Sequence, residues 1–91
     1  MKIKDNFVLR QIAGTWAVVA VGEACVSFNG MLSLNDSGAL LWRTLQNGSD
    51  RAGLITALQA EYEVDDTRAG TDVDAFLQTL RQAGCLEEDL V

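Results

Sequence analysis

The spacing of apolar residues changes near residue 35, and that change limits the folds open to this chain. Before it, β-branched and aromatic residues come in short blocks. After it, apolar positions recur at helical intervals. A strand-forming front and a helix-forming back predict an α+β arrangement. Residues 7–12 read as a first strand, and Ala13-Gly14-Thr15 as a turn. Residues 16–21 read as a second strand, apolar on both faces and therefore central. Ala24-Cys25-Val26-Ser27-Phe28 leads into Asn29-Gly30, a strong hairpin signal because both turn residues must accept positive φ. Residues 31–34 then form a short third strand. Little sequence remains to cover its outer side, so it is expected at a sheet edge.

Three helices follow. Asn35 or Asp36 can cap the first, which carries Leu41, Trp42 and Leu45 on one face and stops at Asn47-Gly48. Ser49 is expected to cap the second, with Asp50 in its first turn and Leu54, Ile55, Leu58 and Tyr62 on one face. Asp65 or Asp66 caps the third. Its apolar stripe is Ala69, Val73, Phe76, Leu77 and Leu80. Gly84 sits where a left-handed residue ends a helix, and Leu86 follows as its apolar clasp. Glu87-Glu88-Asp89 reads as a frayed acidic tail. Three antiparallel strands followed by three helices predict a winged-helix-like α+β domain spanning residues 1–91, with the tail from about 87.

Composition excludes several chemistries. The chain has 91 residues, room for one domain and one modest core. It has no His, so it offers neither a Ser-His or Cys-His pair nor a His-ligated metal. Cys25 and Cys85 are isolated, with no CxxC spacing, and are expected as buried thiols. No apolar run is long enough to span a membrane, and the N-terminus does not read as a signal peptide, so a cytoplasmic location is expected. Asn35-Asp36-Ser37 and Asn47-Gly48-Ser49 match a glycosylation sequon, irrelevant without export.

Charge decides between the remaining binding roles. Residues 1–49 carry a net charge of +1, and residues 50–91 a net charge of −7. The third helix and its approach carry Asp65, Asp66, Asp72 and Asp74 against Arg68 and Arg81. A DNA reader must neutralise phosphates with basic residues, so no nucleic-acid partner is expected. Asp72 with Asp74, or Glu61 with Glu63, are two apart on a helix, face apart, and read as a solvated acidic surface. The cluster Glu61, Glu63, Asp65 and Asp66 lacks the spacing and glycine of a calcium loop. Trp42 is expected in the core and Trp16 half exposed. An open strand edge beside a helix is a standard site for strand addition by an extended peptide.

The run Phe28-Asn29-Gly30-Met31-Leu32-Ser33-Leu34-Asn35-Asp36-Ser37-Gly38-Ala39-Leu40-Leu41-Trp42 resembles the PqqD family. Members read as a short strand, a Leu-Asn-Glu/Asp-Thr/Ser-Gly-Ala run, then an apolar residue and an aromatic. Glu61-Tyr62-Glu63-Val64-Asp65, Asp72-Val73-Asp74-Ala75-Phe76-Leu77 and Ala83-Gly84-Cys85-Leu86 follow in family order. The segment 21–30 is longer than in the pyrroloquinoline quinone member and closer to stand-alone PqqD-like proteins.

The resemblance implies a non-catalytic domain that recognises ribosomally made, post-translationally modified peptides and needs no cofactor or metal. The leader of a precursor peptide would add to the third strand, in the groove beside the third helix. The domain would then present the precursor to a modifying enzyme, often a radical S-adenosylmethionine enzyme, as in pyrroloquinoline quinone biosynthesis. Carried over, the peptide-binding residues would be Met31, Leu32, Ser33 and Leu34 on the strand, and Asp72, Phe76, Thr79 and Leu80 on the helix. Two other roles compete: a winged-helix regulator acting through protein or DNA contacts, and a carrier of a small quinone-like product. A basic third helix would have favoured the regulator, and a chain this short has little volume for the carrier's pocket. A homodimer, where one forms, is expected to arise by exchange of strands at the open edge.

Overall fold

A computed structural model describes residues 1–4, 7–21 and 32–87. The first pair of long strands is β2 (Phe7–Ile12) and β3 (Thr15–Ala20), preceded by a two-residue β1 (Lys2–Ile3). Ile12 pairs directly with Thr15, so Ala13 and Gly14 alone make the turn. Both have positive φ, 53° and 80°, the combination a tight hairpin with the right strand twist requires. β4 (Leu32–Leu34) lies antiparallel on the other side of β3, with Trp16 opposite Leu34 and Val18 opposite Leu32. The sheet order is therefore β2-β3-β4, with the apolar strand central as its sequence predicts. Met31 and the Asn29-Gly30 turn lie outside the described residues, as does Cys25.

The helices are α1 (Asp36–Gln46), α2 (Arg51–Glu61) and α3 (Asp66–Ala83). Asn35 caps α1, its Oδ1 accepting from the Gly38 N–H at 2.8 Å. Asp50, and not Ser49, caps α2: its Oδ1 accepts from the Gly53 N–H at 2.7 Å, while the Ser49 hydroxyl donates to the Asp50 carbonyl. A carboxylate is the stronger acceptor for an orphan N–H at a positive helix end. Tyr62 also departs from expectation, ending α2 in extended backbone with 39% of its surface exposed. Asp65 caps α3 through the Arg68 N–H at 2.7 Å. Gly84, at φ 78°, ends it, and the Cys85 N–H turns back to the Leu80 carbonyl. Only glycine enters that left-handed region without cost.

The three helices pack their apolar faces over one side of the sheet. Trp42, Leu45, Leu54, Ala69, Val73 and Leu80 are fully buried around Val18. The chain ends are tied to this core. β1 pairs with β5 (Leu86–Glu87), bringing Ile3 opposite Leu86. The Lys4 N–H donates to the Cys85 carbonyl, and the Ser49 N–H to the Met1 carbonyl. Glu87 is thus a strand residue rather than the start of a frayed tail. Burial pushes the Cys85 thiol up to about 11, so it stays neutral at ordinary pH. No helix among the described residues is long and apolar enough to cross a membrane.

Candidate functional site

β4 pairs with β3 along one edge, and no other described strand pairs with its far edge. Beyond that edge lies an open groove of about 430 Å3. One wall is the turn from β4 into α1: Ser33, Leu34, Asn35, Ser37, Gly38 and Leu41. The other wall is α3: Arg68, Asp72, Ala75, Phe76 and Thr79. Those five positions recur at i, i+4, i+7, i+8 and i+11, which places them on one flank of a helix. The adjacent flank, with Ala69, Val73, Leu77 and Leu80, is buried in the core. Phe76 belongs to both, 8% exposed yet lining the groove.

The β4–α1 wall is built by a compact cap. Asn35 Oδ1 accepts from the Gly38 N–H and from the Ser37 hydroxyl, the latter at 3.0 Å. Gly38 is required by close approach rather than by its backbone angles. A Cβ there would lie 3.1 Å from Asn35 Oδ1 and 3.2 Å from Leu34 Cβ. The opposite side of α1 is held separately. Trp16 Nε1 donates to Asp36 Oδ1 at 3.1 Å, and the Arg43 guanidinium stacks 4.4 Å from the Trp16 ring centre. The orientation of α1's first turn is therefore set from behind the groove.

The groove has an apolar floor, Leu34, Leu41 and Phe76, and a polar rim. On the rim, Arg68 Nε stands 3.4 Å from Asp72. The Thr79 hydroxyl donates to the Ala75 carbonyl at 3.0 Å. This is the layout that receives an extended chain: a strand edge with no described partner, an apolar strip, and polar side chains around it.

The expected site residues fall into three groups. Ser33, Leu34, Asp72, Phe76 and Thr79 meet at the groove. Leu32 is half-buried and packs against the core from the strand, and Leu80 is 0% exposed in the core beneath α3, so neither lines the groove. Met31 lies outside the described residues. Sequence reasoning missed Asn35, Ser37, Gly38, Leu41, Arg68 and Ala75. Arg68 could have been found by extending the flank of Asp72 and Phe76 one turn toward the N-terminus. Asn35, Ser37 and Gly38 read only as a capping motif.

Comparison with known proteins agrees with this architecture. The family model of coenzyme PQQ synthesis protein D (PqqD) matches residues 7–86, from the start of β2 into β5. The chain belongs to the PqqD family. Among solved structures, it is similar to TbiB1 in complex with the TbiA(beta) leader peptide, at 25% identity and a TM-score of 0.78, over 100% of both chains. It also shares the fold of lasso peptide synthetase B1 complexed with the leader peptide, at 24% identity and a TM-score of 0.74, over 96% of each chain. No curated protein matches the chain.

Proposed function

We propose that residues 1–91 form a single leader-peptide recognition domain that takes part in peptide modification without catalysing it. The observation that carries this reading is the open edge of β4 beside the α3 groove, in a member of the PqqD family. Two proteins of similar fold are described in complex with leader peptides, which supports the same assignment.

Binding would proceed by strand addition. The leader backbone pairs with Leu32–Leu34 through N–H and C=O groups on the edge that no described strand pairs. Each such bond contributes about 0.5–1.5 kcal/mol net and little sequence preference. Preference comes from alternate side chains of the added strand, which point into the groove over Leu34, Leu41 and Phe76. The domain then presents the precursor to a modifying enzyme. The family resemblance supports an enzyme of the radical S-adenosylmethionine type, working in the cytoplasm. Self-association would use the same edge and compete with the leader.

Calorimetry tests the reading. Overlapping synthetic peptides tiled along each short open reading frame found beside the gene for this chain are titrated into it. One tile from the leader half should bind, and tiles from the modified half should not. Absence of binding by every tile would remove the proposal.

A further inference from the structure

Two arginine–aspartate contacts on α3 are unlike. On the flank facing α2, Arg51 grips Asp74 with two nitrogens, Nε to Oδ1 at 2.8 Å and Nη2 to Oδ2 at 3.1 Å. Gly70 leaves room for that guanidinium, since a Cβ there would stand 2.8 Å from Arg51 Nη2. On the groove flank, Arg68 reaches Asp72 through Nε alone, at 3.4 Å, and 72% of its side chain is exposed. Neither Nη group of Arg68 has a partner among the described residues. An arginine offers five donors in a planar fork that fits a carboxylate with two parallel bonds. Arg51 uses that fork; Arg68 does not.

Resting on the peptide-recognition reading, we infer that the groove selects a leader segment with a carboxylate side chain over Arg68 and an apolar side chain over Phe76, four residues apart. Arg68 and Phe76 are eight residues apart on α3, about 12 Å along the helix axis. For an added strand lying along α3, four residues of extended chain cover about 13 Å, and an even spacing keeps both side chains on one face of the strand. The incoming carboxylate replaces a single long contact with a two-bond pair. A cationic side chain directed at Asp72 would instead have to displace Arg68. Asp65, Asp66 and Asp72 lie within one turn of Arg68 and oppose an anion locally, and Asp65 already accepts the Arg68 N–H at 2.7 Å. The preference for a carboxylate therefore rests on the two-bond pair that the free Nη groups of Arg68 can make, not on the net field.

The test uses the full chain and the tiled precursor peptides, with melting curves as a check on folding. The tile that binds should contain Asp or Glu four residues from an apolar residue. Arg68→Gln should weaken it about tenfold, as loss of one charge-assisted pair does. Replacing that peptide carboxylate by its amide should weaken binding to the native chain equally, and should add nothing in Arg68→Gln. Asp72→Asn, which frees Arg68, should tighten binding a few-fold. Native affinity in Arg68→Gln would overturn the inference while leaving peptide recognition standing. Weaker binding by Asp72→Asn would overturn it too and assign the groove to a cationic side chain. If no tile binds the native chain, peptide recognition fails and this inference with it.

Discussion

α3 is flanked by α2 on one side and by β4 on the other, and the two contacts are built differently. Toward α2, Leu54 and Leu58 interlock with the α3 stripe at zero or near-zero exposure. Above them the Arg51–Asp74 fork and the 2.7 Å bond from Gln59 to Asp66 close the seam. Toward β4, the same helix meets a gap of about 430 Å3 with an apolar floor and one loose ion pair. Both flanks come from one amphipathic helix. The difference lies in what faces the helix: α2 presents interlocking apolar side chains, and β4 presents an edge that no described strand pairs. A protein can thus hold a firm core and an unfilled edge on opposite sides of a single helix.

Substitutions on the two flanks should separate stability from binding. Phe76→Ala should cost about 3–5 kcal/mol and Leu54→Ala about 2–5 kcal/mol in denaturant unfolding. Leader affinity of the folded protein should fall for Phe76→Ala, which opens the groove floor, and stay unchanged for Leu54→Ala. Equal affinities in both variants would show that Phe76 is only a core residue.

The far end of α3 offers a pH test of how firmly the buried side is sealed. The folded state holds the Cys85 proton up to about pH 11, against an ordinary thiol value of 9.0. The unfolded chain releases that proton first, so stability should fall as pH rises through this window, by roughly 2 kcal/mol. Denaturation curves with native chain and Cys85→Ala should diverge there. Parallel curves would mean the thiol is not sealed.

Gly38→Ala should cost less, about 1 kcal/mol. The clash with Leu34 and Asn35 exceeds the gain in helix propensity by only that margin. Its larger effect should be on leader affinity, because the added methyl enters the β4–α1 wall. The smallest effect belongs to Arg51→Ala on the exposed α2 seam, a slight drop in melting temperature with no change in binding. The Arg51 guanidinium holds the Asp74 carboxyl below its ordinary value of 3.8. A depressed carboxyl stabilises the fold above its unfolded value and loses that contribution as pH falls through the folded one. The difference between native chain and Arg51→Ala should therefore vanish in strong acid.

How much was legible in the sequence follows the same division. The α3 stripe, caps at Asn35 or Asp36 and at Asp65 or Asp66, and the Gly84 stop announce themselves through periodicity and special residues; the structure has the stripe and the stop where they were expected and chooses Asn35 and Asp65. The β1–β5 pairing did not, because two-residue strands have no period to read and gain their partner only through the fold. Ser49 reads as the cap of α2 with Asp50 in its first turn, but the backbone makes Asp50 the cap, a choice one residue apart that the sequence does not show. At the groove, sequence reasoning found the strand and part of the helix flank. It included Leu80 because stripe and flank share an edge, and left out Arg68 because an exposed arginine beside an apolar stripe looks like solvated surface. Which side of a helix stays uncovered depends on what packs beside it and cannot be read from its own periodicity.

The central claim is that an extended leader pairs with β4 and seats its side chains against the groove flank of α3. Proton–nitrogen NMR of the labelled chain, titrated with the leader tile that binds in calorimetry, tests it most directly. The largest shifts are expected at Leu32, Ser33, Leu34 and Gly38 and along Arg68, Asp72, Phe76 and Thr79, with β2 and α2 nearly silent. Shifts concentrated on α2, on the Ala13-Gly14 turn or on the β1–β5 pair would contradict it.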